Sequence, residues 1–107
     1  MHTHAADNEY FWAWDKMYDI VHNEPDLAWE LILRIMKADN SAIGLANLAA
    51  GPLEDLLGLH GDKIIERAEK EAVGDSQFKY LLGGVWKNMM TGEIWDRVQK
   101  ARGKIIW

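Results

Sequence analysis

The sequence has no cysteine, only two prolines and no long run of apolar residues. The lack of cysteine excludes disulfide bonds and thiolate metal sites. No stretch approaches the roughly 18 apolar residues that a membrane-spanning helix requires, and the first residues lack the basic and apolar regions of a secretory signal, so we expect a cytoplasmic protein. With 107 residues the chain has room for one hydrophobic core, which predicts a single domain over 1–107.

Tryptophan, in contrast, is abundant, with six residues against only two phenylalanines. A large indole ring buries much area at small cost in entropy, so these rings could replace disulfide bonds in stabilising a small core. Some of them could instead contact a partner, because aromatic side chains are enriched at protein interfaces. The six are Trp12, Trp14, Trp29, Trp86, Trp95 and Trp107.

Apolar residues recur at three- and four-residue spacing, and strand alternation is absent except in residues 104–107, which predicts an all-α fold. The inward stripe of the first helix is expected to be Tyr10, Phe11, Trp14, Met17, Tyr18 and Val21. Pro25 fits the first turn of a second helix. Later breaks are predicted at residues 39–41, Gly51, His60-Gly61 and Gly74. The predicted architecture is a compact bundle of six to seven short helices, and stacked helical hairpins fit the same pattern.

Two glycines interrupt an otherwise regular helical pattern near the C-terminus. A helix from Ser76 is predicted to run through Met89 in i, i+3, i+4 register, with Gly83-Gly84 inside it. Glycine costs a helix about 1 kcal/mol per residue, which indicates that another helix approaches closely there. Thr91 is expected to cap a final helix that ends before the apolar tail 103–107.

One segment, Gly51-Pro52-Leu53-Glu54-Asp55-Leu56-Leu57-Gly58-Leu59-His60-Gly61, has a distinctive spacing that continues further along the chain. The residues that continue it are Ile65, Phe78, the pair Val85-Trp86, and Trp95 with Arg97 and Val98. Together they resemble a bacterial family of unknown function, over about residues 25–102. The resemblance implies a compact helical bacterial domain and no known activity. Residues 1–24, an acidic aromatic first helix, lie outside it, as does the tail.

Glu54, Asp55 and His60 come nearest to a catalytic or metal-binding cluster. His60 lies five residues after Asp55 and six after Glu54, and neither is the i, i+4 spacing of a helical metal-binding pair. Acids in a first turn after Gly51 and Pro52 favour the helix dipole, so we interpret them as structural. We therefore predict no catalytic, metal or cofactor site. A small enzyme with a site around the three residues is the alternative.

The other histidines and the serines offer no better site. His2 and His4 stand at the start of the chain, and His22 ends the first helix, where a cation suits the dipole. Ser41 and Ser76, the only serines, both stand at predicted helix starts rather than in a nucleophile motif.

The net charge of −5 is unevenly distributed. Residues 1–62 hold 11 acids and 3 bases, whereas residues 63–107 hold 6 acids and 9 bases. An acidic region favours a basic protein partner and disfavours nucleic acid, although the two halves could also attract each other within the fold. A nucleic-acid-binding regulator that uses the basic C-terminal helix is a further alternative. The bases in question are Lys87, Arg97, Lys100, Arg102 and Lys104.

These features predict a non-enzymatic protein-binding module, a small acidic inhibitor or adaptor that neutralises or regulates a basic partner such as a toxin or a nucleic-acid-acting enzyme. With the aromatic stripe inward, Trp12, Asp15 and Asp19 share the opposite face of the first helix, because they are three and seven positions apart. A tryptophan among carboxylates is typical of an interface anchor, so these residues are the predicted partner-binding site. The alternative is that Trp12 packs over a neighbouring helix or residues 105–107. We expect no membrane contact, and a homo-oligomer is left open.

Overall fold

The computed structural model describes the backbone of residues 5–39 and 41–107 and the side chains of residues 12–39 and 41–107. This part of the chain is helical and contains no strand, which confirms the all-α prediction. Its elements are α1 (Ala5–Asn23), α2 (Pro25–Ala38), α3 (Ala42–Leu48), a π-helical segment (Ala49–Leu53), α4 (Glu54–Gly74), α5 (Ser76–Leu82) and α6 (Gly92–Arg102). None of these helices is both long and apolar enough to cross a membrane.

The apolar faces of all six α-helices and of the π-helical segment meet in one core. Phe78 of α5 is fully buried, and its ring meets that of Trp29 edge-on with 5.3 Å between the ring centroids. Burying each large apolar side chain contributes about 1.5–3 kcal/mol, which is how a small domain without disulfides is held together. The largest fully buried side chains are Phe78, Ile32, Met36, Leu48, Leu53, Leu56, Leu57, Ile64, Ile65, Leu81, Leu82 and Val21.

Residues 42–74 form one bent helical path rather than the separate short helices that the sequence predicts. The expected helix end at Gly51 is absent, because Gly51 and Pro52 lie inside the π-helical segment and Gly51 has no positive φ. Proline lacks an N–H group and its ring clashes with the preceding turn of an α-helix; the wider π-helical turn accommodates both. The described residues therefore form five helical stretches rather than six to seven.

A bend in α4 at His60 replaces the break that the sequence predicts at His60-Gly61. His60 has φ −128° and ψ 32°, and the chain is helical on both sides of it. Its Nε2 atom donates to the carbonyl oxygens of Val21 and His22, at 2.8 and 3.2 Å, so the ring caps the C-terminal end of α1. A Cβ atom on Gly61 would lie 2.9 Å from Ile94 Cγ1, so glycine at this position lets α6 approach α4 closely.

The predicted continuation of α5 through Met89 is wrong, because α5 ends at Leu82. Gly83 and Gly84 begin a segment of turns, and the C-terminal tail, not another helix, packs against them. A Cβ atom on Gly84 would lie 2.7 Å from the Trp107 ring, and the Trp107 N–H donates to the Gly83 carbonyl at 3.2 Å. The pair of glycines is therefore explained by the close approach of this tail.

Candidate partner-binding site

Helix α1 exposes the three residues predicted as a partner-binding face. Trp12 is 51% exposed, and Asp15 and Asp19 are exposed on the same side of the helix. Neither aspartate forms an ion pair with another described residue. The 105–107 tail, which could have covered Trp12, packs against α5, where the Trp107 indole donates to the Tyr80 carbonyl at 2.8 Å. This face of α1 thus presents half of an indole together with two negative charges and the exposed positive charge of Lys16.

The inward stripe of α1 differs from the predicted one. Trp14 and Tyr18, both expected inside, are 39% and 72% exposed. The buried residues of α1 among those described are Ala13, Met17, Ile20 and Val21. At about 100° per residue, Trp14 and Tyr18 lie at the edge of this buried row. The predicted stripe was rotated toward them because both large rings were counted as core residues. Tyr10 and Phe11, which complete the prediction, have side chains outside the described set.

Trp14 and Tyr18 form one wall of a groove between α1 and the start of α4, which we call the aromatic groove. Its lining residues are Trp14, Met17, Tyr18, Val21, Gly51, Pro52 and Asp55. Its volume is 190 Å³. Gly51 leaves the groove open on one side, because no atom lies within 4 Å of the place where its Cβ would be. The described side chains that line it are apolar or aromatic apart from the carboxyl group of Asp55 and the hydroxyl of Tyr18.

Asp55 is partly buried in this groove without a compensating partner among the described residues. Its carboxylate accepts no hydrogen bond from a described residue and forms no ion pair with one. Burial raises the pKa of the Asp55 carboxyl, and charge on His22 acts in the opposite direction. A cation bound beside this carboxylate would offset the cost of its desolvation.

His22 restrains Tyr18 at the edge of the aromatic groove. The two rings lie 4.1 Å apart between centroids, tilted by 34°. The Nδ1 atom of His22 lies 2.7 Å from the Tyr18 carbonyl oxygen, and because that oxygen can only accept, Nδ1 carries the proton. The groove wall is therefore supported by a neighbouring ring as well as by the helix itself.

Glu54 belongs to a different region from its neighbour Asp55. Glu54 is 8% exposed. Its carboxylate accepts a hydrogen bond from the backbone N–H of Trp86 at 2.8 Å and another from the side-chain amide of Asn88 at 3.0 Å. It thereby fixes the turn segment 83–91, in which Asn88 has a φ of 43°. The sequence predicts Glu54 as a first-turn acid of a new helix. The structure instead makes it a buried acceptor for a distant segment.

The turn segment places Trp86 outside the core, contrary to the predicted helix register. Trp86 is 68% exposed, whereas Val85 and Met90 are buried. Met89 lies over α4, where a Cβ atom on Gly58 would be 2.6 Å from Met89 Cγ. Sequence reasoning missed this arrangement because the contact between Glu54 and this segment spans more than thirty residues. The signal available in the sequence was Glu54 itself, a charged residue within the apolar row of α4.

The structure does not unite Glu54, Asp55 and His60 in one cluster. Glu54 binds the segment 83–91, Asp55 lines the aromatic groove, and His60 caps α1. Among the described residues, no group of three or more histidine, aspartate or glutamate side chains could hold a metal ion; His2 and His4 lie outside this set. The three residues therefore serve separate contacts rather than a shared acid–base centre.

Part of the basic charge of α6 is used inside the fold. Arg97 donates through two nitrogens to the carboxylate of Glu69, and this hydrogen bond lowers the pKa of the Glu69 carboxyl. Arg102 is buried, donates to the Val85 carbonyl at 3.1 Å and lies 4.8 Å from the centroid of the Trp95 ring. These two arginines are thus less accessible to a phosphate group than the composition suggests.

Acids of the first half also meet bases of the second. Asp26 pairs with Arg67 at 2.8 Å and with Lys63 at 3.5 Å. Lys37, a base of the first half, pairs with Asp75, an acid of the second half, at 2.7 Å. Mutual attraction between the halves accounts for part of the charge asymmetry, but it does not involve the acids of α1 that face outward.

These features define a compact all-helical domain with an acidic, aromatic surface on its first helix. The chain belongs to a family of unknown function, because the model described as "Family of unknown function (DUF6869)" matches residues 1–106. The match includes residues 1–24 and 103–106, which the sequence resemblance leaves outside. No match to the chain is found among curated proteins or among solved structures.

Proposed function

We propose that this protein is a non-enzymatic binding module, an inhibitor or adaptor that acts in the cytoplasm on a protein partner with a basic surface. The observation that supports this most is the exposure of Trp12 beside Asp15 and Asp19 on one face of α1. Tryptophan is the residue most enriched among those that dominate binding energy at interfaces. The exposed half of the Trp12 side chain offers such an anchor.

The charge of the same region favours a basic partner. Residues 1–30 carry 7 acids and 1 base. Of these acids, Asp15 and Asp19 lie on the face of Trp12 and form no ion pair with a described base, although Lys16 is exposed on the same face. Such a field attracts an oppositely charged surface, speeds association and weakens as salt is added.

The experiment compares partner capture by the wild-type protein and by the triple variant Trp12→Ala, Asp15→Lys, Asp19→Lys. Immobilised protein is incubated with a lysate of the cells that encode it, and bound proteins are identified by mass spectrometry. We expect the variant to lose capture while its melting temperature stays unchanged, because truncating a central anchor weakens binding by about 30-fold or more. A lowered melting temperature with capture intact would contradict the proposal and make Trp12 a core residue.

A matched control separates this face from net charge alone. The variant Ile43→Ala, Asp62→Lys, Asp96→Lys changes the charge by the same amount, and all three residues are exposed and lie on α3, α4 and α6. We expect it to capture the partner as well as the wild type does. Equal loss of capture in both triple variants would mean that the overall charge, not the α1 face, attracts the captured protein.

A further inference from the structure

We infer that the aromatic groove holds one arginine side chain of the partner, stacked on the rings of Trp14 and Tyr18 with its guanidinium on the carboxylate of Asp55. This inference rests on the proposed function and identifies the chemistry that the partner must supply. It concerns the groove between α1 and the start of α4, not the face of α1 that carries Trp12.

The size and lining of the groove suit a single long side chain. Its 190 Å³ is below the ~300–1,000 Å³ of sites for drug-sized molecules, so it accepts part of a partner rather than a free metabolite. The aliphatic part of an arginine side chain would contact Met17 and Val21. The absence of a side chain at Gly51 leaves space for the arriving chain.

The charge and the rings select arginine among the basic residues. A guanidinium is planar, stacks on aromatic faces and can bind a carboxylate through two parallel hydrogen bonds. It is also less strongly hydrated than the lysine ammonium, which lowers the cost of placing it in an apolar groove. Trp14 and Tyr18 provide the faces, and Asp55 provides a carboxylate that no described residue already occupies.

The groove is continuous with the proposed partner-binding face. Tyr18 follows Asp15 by three positions and directly precedes Asp19, so one wall of the groove borders the carboxylates that would attract a basic surface. A partner attracted to these exposed acids would find the groove within a helical turn of them. The exposed face and the groove then act in sequence, first attracting the partner and then holding one of its side chains.

The test uses three small probes: N-acetyl-arginine amide, N-acetyl-lysine amide and the uncharged analogue N-acetyl-citrulline amide. Each is titrated into the ¹⁵N-labelled full chain, and binding is followed by the indole N–H signals of the tryptophans and by backbone amides. We expect the arginine probe to shift the signals of Trp14, Tyr18 and Asp55 with saturation, the lysine probe to do so more weakly, and citrulline to leave them unchanged. Equal shifts with citrulline, or no saturable shift with arginine, would overturn the inference.

Variants then locate the bound probe. Asp55→Asn keeps the shape of the side chain and removes its charge, and it should weaken arginine binding by about tenfold or more, the effect expected for one charge-assisted hydrogen bond. Asp62→Asn is the matched control, because it removes an equal charge from an exposed position of α4 outside the groove. Equal weakening by both variants would mean diffuse attraction to acidic surface and would overturn the inference. Tyr18→Ala, at a highly exposed position, gives a second test of the groove wall without disturbing the core.

The two proposals can fail separately. If arginine does not bind the groove but the Trp12, Asp15, Asp19 variant loses its partner, the binding module stands and the arginine inference is wrong. If arginine binds as expected but that triple variant still captures its partner, the groove is a recognition site and the face on α1 is not.

Discussion

Glu54 and Asp55 are adjacent in sequence and chemically almost identical, yet they lie in opposite kinds of environment. The Glu54 carboxylate is deeply buried and accepts two hydrogen bonds from the segment 83–91. The Asp55 carboxylate is partly buried and accepts none from a described residue, and its burial raises its pKa. One helical position apart, the side chains point to different neighbours, so the first acid binds the segment 83–91 and the second lines the aromatic groove.

The contrast teaches that burial alone does not show what a carboxylate does. Desolvation is costly for both groups, but at Glu54 two donors compensate it. At Asp55 no described donor offsets the free-energy cost of desolvation, and a bound cation would reduce that cost. Proteins commonly keep such local costs at functional sites, where they reduce stability in exchange for binding. Substitutions at Glu54, Asn88 and Asp55, each compared with a control variant, can break or sharpen this comparison.

The largest effect is expected for Glu54→Ala. The change leaves the Trp86 N–H and the Asn88 amide without their acceptor, and it should lower the free energy of unfolding by about 2–4 kcal/mol. Urea unfolding followed by tryptophan fluorescence measures this. Glu66→Ala is the control, because Glu66 is exposed on the same helix and should change stability by only about 0.5 kcal/mol. A loss for Glu54→Ala no larger than that of the control would contradict the anchoring role.

The next largest effect is expected at Asn88, which has an unusual positive φ and donates a hydrogen bond to Glu54. Asn88→Ala removes the donor to Glu54 and places alanine at a φ of 43°, so we expect a loss of about 1–2 kcal/mol. Asn88→Gly removes the same hydrogen bond but accepts the backbone conformation, and it should lose about half as much. Identical losses in the two variants, measured by thermal unfolding, would show that the positive φ imposes no strain.

Asp55→Asn should have the smallest effect and the opposite sign. Folding raises the pKa of the Asp55 carboxyl above its ordinary value of 3.8, so the folded state binds the proton more tightly and stability falls as pH rises through that range. At neutral pH this loss is complete, and removing the charge should therefore stabilise the protein by well under about 1 kcal/mol, because solvent screens much of the effect at a partly buried carboxyl. The gain should disappear when unfolding is measured below the ordinary pKa. A destabilised Asp55→Asn protein at neutral pH would show that the carboxylate has a partner.

Asp26→Asn is the mirror-image control. The hydrogen bond from Arg67, helped by Lys63, lowers the pKa of the Asp26 carboxyl, so its contribution to stability is present at neutral pH and is lost as pH falls through the lowered value. Asp26→Asn should therefore reduce stability at neutral pH, and its difference from wild type should fade in acid. The difference in stability between variant and wild type should therefore change with pH in opposite directions for Asp55→Asn and Asp26→Asn.

Three of the predicted helix starts are confirmed, whereas the start predicted at Gly51-Pro52 is wrong because the helical path continues through both residues. Pro25 begins α2, Ser41 caps α3 through the Gly44 N–H at 3.1 Å, and Thr91 caps α6 through the Ile94 N–H at 3.2 Å. Each depends on a proline or a hydroxyl within three residues of the groups it serves, so the local sequence contains all the information needed. The overall all-α class follows from the same local periodicity.

Contacts between distant segments were not predictable in this way. The exposure of Trp12, Asp15 and Asp19 agrees with the helical geometry, but the aromatic groove exists only because the π-helical segment faces the edge of α1. Periodicity assigns a side chain to one side of a helix and cannot say which edges meet a neighbour. For the same reason, the sequence grouped Asp55 with Glu54 and His60, whereas the fold separates all three.

The π-helical segment also keeps the two halves of the 42–74 helix in phase. At about 100° per residue, the buried face of α4, which includes Leu56 and Leu57, would rotate away from that of α3, which includes Leu45 and Leu48. A π-helix turns through a smaller angle per residue, so five residues in this form take up much of the difference. The segment can therefore vary in composition where it is exposed, at Ala50, but not in length. One residue more or less would rotate α3 by about 100° and turn its leucines out of the core.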